Sequence, residues 1–229
     1  MEANLLDVRD FSVSLEKVPV ISNLSFAVQS GEFLTILGPN GSGKTVLLKA
    51  LLGLLPHTGE LKWRGKPRIG YLPQGFNQIS VRDLPLTVTD FFGLKKIGAA
   101  KIPALLELVG IDGSVIGRKA GHLSGGEFQR MLVAWVLASN PDVLFLDEPT
   151  TAIDAAGGET IYSLLKKNWQ NQSLTILNVT HDLNIVYAHS THVLCLSRFG
   201  HKCFGVPKDV LTPDVLHDLY GTEVKLYSH

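Results

Sequence analysis

Cysteine is scarce: Cys195 and Cys203 are the only two in 229 residues. Two cysteines do not make a disulfide framework, and a reducing cytoplasm fits their number. A secretory leader is not expected either, because Met-Glu-Ala-Asn-Leu-Leu-Asp has neither a basic region nor a long apolar core. No apolar run reaches the length of a membrane span; Lys49 interrupts the longest candidate, residues 46–55. Charge of one sign is absent too. Lys and Arg number 21, Asp and Glu number 21, and no basic block stands out, so nothing supports nucleic-acid binding. Internal repeats and low-complexity linkers are not seen. What remains is a chain expected to be soluble, with 45% hydrophobic residues, enough for a substantial core and for contact with a membrane-embedded partner.

Apolar runs then set the architecture. Phe33-Leu34-Thr35-Ile36-Leu37 reads as a buried strand ending in glycine, and Val143-Leu144-Phe145-Leu146 as another, after the Asn140-Pro141 break. Residues 174–179 and 192–196 supply two more. Helices are expected at 45–53, 125–139, 155–169 and 183–188. Strands alternating with helices predict a parallel sheet covered on both faces, an α/β fold. Residues 5–14 and 20–28 read instead as paired strands of an N-terminal antiparallel layer. The turn-rich stretch from about 75 to 125, helical near 87–94 and 103–109, interrupts the rhythm and reads as an inserted helical subdomain within a single domain, 1–229.

Three stretches carry chemistry. Gly38-Pro39-Asn40-Gly41-Ser42-Gly43-Lys44-Thr45 fits G-x-x-x-x-G-K-[ST] and lies between a buried strand and a helix, as a phosphate loop requires. Its successive N–H groups would form a concave anion site, Lys44 would reach the outer phosphates, and Thr45 would place its hydroxyl on Mg²⁺. Asp147 and Glu148 stand at the carboxyl end of a buried strand, where open α/β sheets bind ligands. Adjacent residues point oppositely, so Asp147 would hold Mg²⁺ or its water while Glu148 would polarise the attacking water. In Leu123-Ser124-Gly125-Gly126-Glu127, Ser124 and Glu127 have the spacing of a capping box. The helix N-terminus they announce suits an anion, although taken alone this stretch reads first as an ordinary capped helix. His181, after a strand, could hydrogen-bond a γ-phosphate or be structural, and Gln74 alone signals nothing.

Taken in order, GPNGSGKT, Gln74, LSGGEFQR, VLFLDEP, Thr151-Ala152-Ile153-Asp154 and His181 make the chain resemble the ATP-binding subunit of ABC transporters over nearly its whole length. The resemblance implies a P-loop NTPase core with an ABC-type helical subdomain, with ATP and Mg²⁺ as cofactors. It implies roles for Lys44, Gln74, Glu148 and His181 in catalysis and for Gln74 beside Thr45 and Asp147 in metal binding, and it carries a family role onto Asp154. It also implies that Ser124, Gly125, Gly126 and Glu127 close over the ATP of a second copy, so that two head-to-tail subunits hold two nucleotides. One departure concerns the base: Leu15 stands where the family usually stacks an aromatic on adenine.

Two function classes follow from the resemblance: a transport motor on membrane subunits, or a soluble ABC ATPase of translation or DNA maintenance. A compact lobe and a single ATPase domain favour the motor. Residues 65–74, Leu84-Pro85-Leu86-Thr87-Val88, Val193-Leu194-Cys195-Leu196 and Leu219-Tyr220-Gly221 resemble the branch importing zinc, manganese or iron; importers of other cargo remain an alternative. Such a subunit is expected at the cytoplasmic face of the membrane, on integral permease subunits and, indirectly, with an extracytoplasmic metal-binding protein. His201 and Cys203 share one face of a possible strand near His192 and Cys195, but two residues do not complete a tetrahedral metal site.

Overall fold

The structure, a computed structural model, describes residues 4–75, 84–150, 161–163, 165–166, 174–198, 200 and 202–221. In chain order the strands are β1 (Leu6–Leu15), β2 (Val18–Val28), β3 (Phe33–Leu37), β4 (Thr58–Trp63), β5 (Ile69–Leu72), β6 (Val143–Asp147), β7 (Thr175–Thr180), β8 (His192–Leu196) and β9 (Lys202–Gly205). The helices are α1 (Lys44–Leu51), α2 (Val88–Gly93), α3 (Ile102–Glu107), α4 (Gly125–Leu137), α5 (Leu183–His189), α6 (Pro207–Val210) and α7 (Pro213–Tyr220). Residues 161–163 and 165–166 are also helical. The chain divides into two compact units, Met1–Pro67 with Thr175–His229, and Arg68–Leu174.

In the first unit, β1 pairs antiparallel with β2 on one side and β4 on the other. Leu6, Val8, Phe11 and Val13 are all buried although the phase changes between Val8 and Phe11. A register shift at that point and a positive φ of 48° at Asp10 explain this, because one extra residue returns the next apolar side chain to the same face. The β1–β2 turn carries positive φ at both Glu16 and Lys17, the twist that a two-residue hairpin requires.

The second sheet of this unit runs in the order β7, β3, β8, β9. β3 lies parallel to both β7 and β8, and β8 lies antiparallel to β9. Every residue of β3 and β7 is buried, including Thr35, Thr175, Asn178 and Thr180. Burial along the whole of each strand is what a parallel sheet covered on both faces requires. Leu37, Val193 and Cys195 from the sheet form one cluster with Val186 of α5, Leu211, and Leu216 and Leu219 of α7.

The cysteines depart from expectation. Cys195 and Cys203 face each other across the β8–β9 ladder with Cα atoms 4.7 Å apart, and their sulfurs are bonded. Antiparallel pairing, which eight residues of separation permit, brings the two thiols within bonding reach however few cysteines the chain holds.

The second unit sets β5 parallel to β6, with Leu72 opposite Leu146. Arg68 and Asp142 hold the starts of these strands together. The guanidinium Nη2 lies 2.8 Å from Asp142 Oδ1, and the Arg68 N–H donates to Oδ2 at 2.8 Å. The Arg68 side-chain hydrogen bond lowers the Asp142 pKa to about 2. α4 packs close to β5: a β-carbon on Gly70 would come within 2.7 Å of Val136. Phe91 of α2 meets Phe128 edge-on at 6.3 Å and Trp135 at 5.3 Å, while the Lys95 ammonium lies 3.9 Å over the Trp135 ring. Among the described residues, no helix is long and apolar enough to cross a membrane.

Candidate active site

The Gly38–Thr45 loop leaves β3 and opens α1. Gly41 and Gly43 take φ of 79° and 93°, a left-handed backbone that favours glycine. At Gly43 a β-carbon would also press on Val20 at 2.8 Å. α1 has no side-chain cap at its N-terminus, so its first-turn N–H groups suit an anion. Lys44 is 6% exposed, and its Nζ donates to the carbonyls of Gly38 at 2.8 Å and Pro39 at 3.1 Å. The cation is thus folded back on its own loop. Thr45 is half-buried in the first turn. His181 is exposed just beyond β7, and Asp182 caps α5 by accepting from the Asn184 N–H at 2.8 Å.

In the other unit, β6 ends at Asp147, which is 1% exposed, and Glu148 follows half-buried. Gln74, two residues past β5, donates from Nε2 to Glu148 Oε2 at 3.2 Å. The parallel pairing of β5 with β6 brings these two sequence-selected residues together. Glu148 has a positive φ of 49°, uncommon for a residue with a side chain. Burial, and then the charge of Asp147, push the Tyr71 phenol up to about 12.

Ser124 caps α4. Its hydroxyl accepts from the Glu127 N–H at 3.2 Å, and Glu127 Oε2 accepts from the Ser124 N–H at 2.7 Å. These bonds, the backbone one foremost, and then the charges of Arg118 and Arg130 hold the Glu127 carboxyl below its ordinary range. Ser124 and Gly125 are exposed, so the capped end presents its hydroxyl and N–H groups at the surface.

Oxygen is the donor type that Thr45, Gln74 and Asp147 offer, and hard oxygen donors fit Mg²⁺. Among the described residues, no group of three His, Cys, Asp or Glu could hold a metal ion; His201 and Asp154 lie outside the described residues. Leu15, at the end of β1, is 38% exposed. One contact to the loop was not expected from the sequence. Arg198, two residues past β8, donates from Nε to the Asn40 carbonyl at 2.7 Å. The signal available was its place just beyond a strand parallel to the one that launches the loop.

A glycine loop between a buried strand and a helix, together with an acid pair closing a buried parallel strand, defines a P-loop nucleotide hydrolase. Residues 21–151 match the ABC transporter family, and the chain belongs to it as an ATP-hydrolysing subunit. It is 40% identical to the zinc import ATP-binding protein ZnuC of Cereibacter sphaeroides over 95% of this chain and 88% of that one. It is 35% identical to a probable metal transport system ATP-binding protein of Thermotoga maritima over 94% of this chain and 90% of that one. Among solved structures it resembles the ATP-binding cassette MJ0796, a dimer in a post-hydrolysis state bound to ADP and phosphate. That likeness has a TM-score of 0.72 and 25% identity over 88% of this chain and 98% of the other.

Proposed function

We propose that this ATPase drives import of a divalent transition metal, with zinc or manganese ahead of iron, as a head-to-tail pair on permease subunits at the cytoplasmic face of the membrane. The observation that carries the cargo is the near full-length likeness to a zinc import ATP-binding protein, 40% identical over 220 residues. Lys44 and backbone N–H groups of the Gly38–Thr45 loop hold the phosphates of ATP. Glu148 takes the proton of the attacking water, and Gln74, already bonded to it, orients both. His181 donates to the γ-phosphate. Thr45, Gln74 and Asp147 would hold Mg²⁺, which when bound would neutralise charge on the phosphates. Ser124 to Glu127 cover the γ-phosphate bound by the second copy, and loss of that phosphate removes the contact and opens the pair. The helical subdomain, at about 75–125, receives the permease loop and an extracytoplasmic metal-binding protein delivers the cargo outside.

Uptake of radiolabelled zinc, manganese and iron in a deletion strain tests the cargo. A defect in at least one of them, with growth under chelation restored by that metal, is expected. Normal uptake of all three, with a defect for an amino acid or sugar, would refute the metal assignment.

A further inference from the structure

A loop whose N–H groups converge on an anion turns its carbonyls outward, where water or protein donors pair them. Lys44 supplies two, to Gly38 at 2.8 Å and Pro39 at 3.1 Å. The next carbonyl in line, that of Asn40, is taken by a residue from far along the chain. Arg198 donates to it from Nε at 2.7 Å, and Nη2 makes a second, shorter contact with the same oxygen. The guanidinium also lies over the following turn. A β-carbon added to Gly41 would sit 3.2 Å from Nη2 and 3.4 Å from Nε.

Strand register puts Arg198 there. Leu37, the last residue of β3 before the loop, pairs with Cys195 of β8. Gly38 is pressed so closely against the Leu196 carbonyl that a β-carbon would overlap it. The segment carrying Arg198 is therefore fixed to the strand that launches the loop. A cavity of about 270 Å³, lined by Val20, Ile21, Ser42, Leu196 and Arg198 among others, opens beside this contact.

Lys44 and Arg198 face different tasks when nucleotide arrives. The Lys44 ammonium must turn toward phosphate, which weakens its hold on Gly38 and Pro39. Arg198 approaches from outside the loop and has no need to let go. We propose that Arg198 is a positioning residue for ATP binding: it holds the Asn40–Gly41 turn in the nucleotide-ready shape while Lys44 changes partners. The proposal rests on Gly38–Thr45 being the ATP loop. An Arg suits the task because its planar fork presents two donors to one turn.

Equilibrium binding of Mg-ATP and Mg-ADP, steady-state ATPase kinetics and thermal unfolding on Arg198→Met, Arg198→Lys and Lys44→Ala test it. A hydrogen bond from a charged but exposed donor predicts that Arg198→Met raises Kd and KM for ATP about three- to tenfold. ADP affinity should fall in parallel, kcat should stay within about twofold and Tm should hardly move, because the contact shapes the loop rather than the chemistry. Arg198→Lys should recover part of the lost affinity. Unchanged affinity in Arg198→Met, or a fall in kcat at unchanged KM, would overturn the proposal. If Lys44→Ala binds ATP as the wild type does, the loop assignment itself fails, which is a separate result.

Discussion

Replacing Ser124 with alanine separates the capping task its hydroxyl performs from the phosphate contact proposed for it. As a cap, it accepts the Glu127 N–H at 3.2 Å. Losing such a cap costs about 1 kcal/mol. The reciprocal bond from the Ser124 N–H to Glu127, at 2.7 Å, uses the backbone and survives the change. α4 also survives, because Phe128, Gln129, Met131, Leu132, Val133, Ala134 and Val136 are buried along it. For a chain of 229 residues, about 1 kcal/mol corresponds to a Tm lowered by roughly 2–4 °C. The second task is larger. While accepting from Glu127, the hydroxyl keeps its own proton, which we assign to the γ-phosphate held by the second copy. A hydrogen bond to a charged group contributes about 1.5–3 kcal/mol, so turnover should fall about ten- to a hundredfold. Thermal unfolding by circular dichroism and ATPase rate in the assembled transporter read the two effects separately. Ser124→Thr, which keeps hydroxyl and cap, should restore both. A Ser124→Ala protein that melts a few degrees early yet turns over within twofold of wild type would refute the phosphate contact and leave Ser124 as a cap alone.

Two further outcomes follow from the site and the strand starts. Glu148→Gln keeps an oxygen to accept from Gln74 but cannot take a proton, so hydrolysis should fall at least a hundredfold while ATP binding persists. The variant should gather as an ATP-dependent dimer on size exclusion, and monomer at every protein concentration would count against the nucleotide sandwich. Asp142, lowered from 3.8 to about 2 by Arg68, contributes stability that is fully present above 3.8 and is lost as pH falls through about 2. Urea midpoints of wild type and Asp142→Asn should therefore differ at neutral pH and converge toward pH 2; a constant gap would mean the ion pair is not the cause.

The buried strands were legible because both their faces are covered. β3 and β8 have the bounds expected of them, 33–37 and 192–196, and β6 extends one residue beyond its apolar run to include Asp147. The Ser124–Glu127 box was legible from spacing alone, and it forms both of its bonds. β4 was not read, because four of its six residues are exposed and its sequence, Thr-Gly-Glu-Leu-Lys-Trp, has little apolar content. β5 is four residues long and contains Gly70, whose purpose, close approach of α4, exists only in the folded chain. α7 is announced in the sequence by a Thr212 cap followed by Pro213 at the first turn. The Cys195–Cys203 bond and the Arg198 contact depend on strand register, which no single segment encodes.

The left-handed backbone at Glu148 has a consequence for anyone seeking a hardier version of this protein. A residue with a side chain held at φ 49° stores roughly 1–3 kcal/mol of strain, which glycine or asparagine would relieve. A library selected for heat resistance alone would accordingly enrich those two residues at position 148. Under the role proposed for Glu148, the survivors would outlast the parent on heating and lose most of their hydrolysis, because the strained position carries the carboxylate assigned to the attacking water.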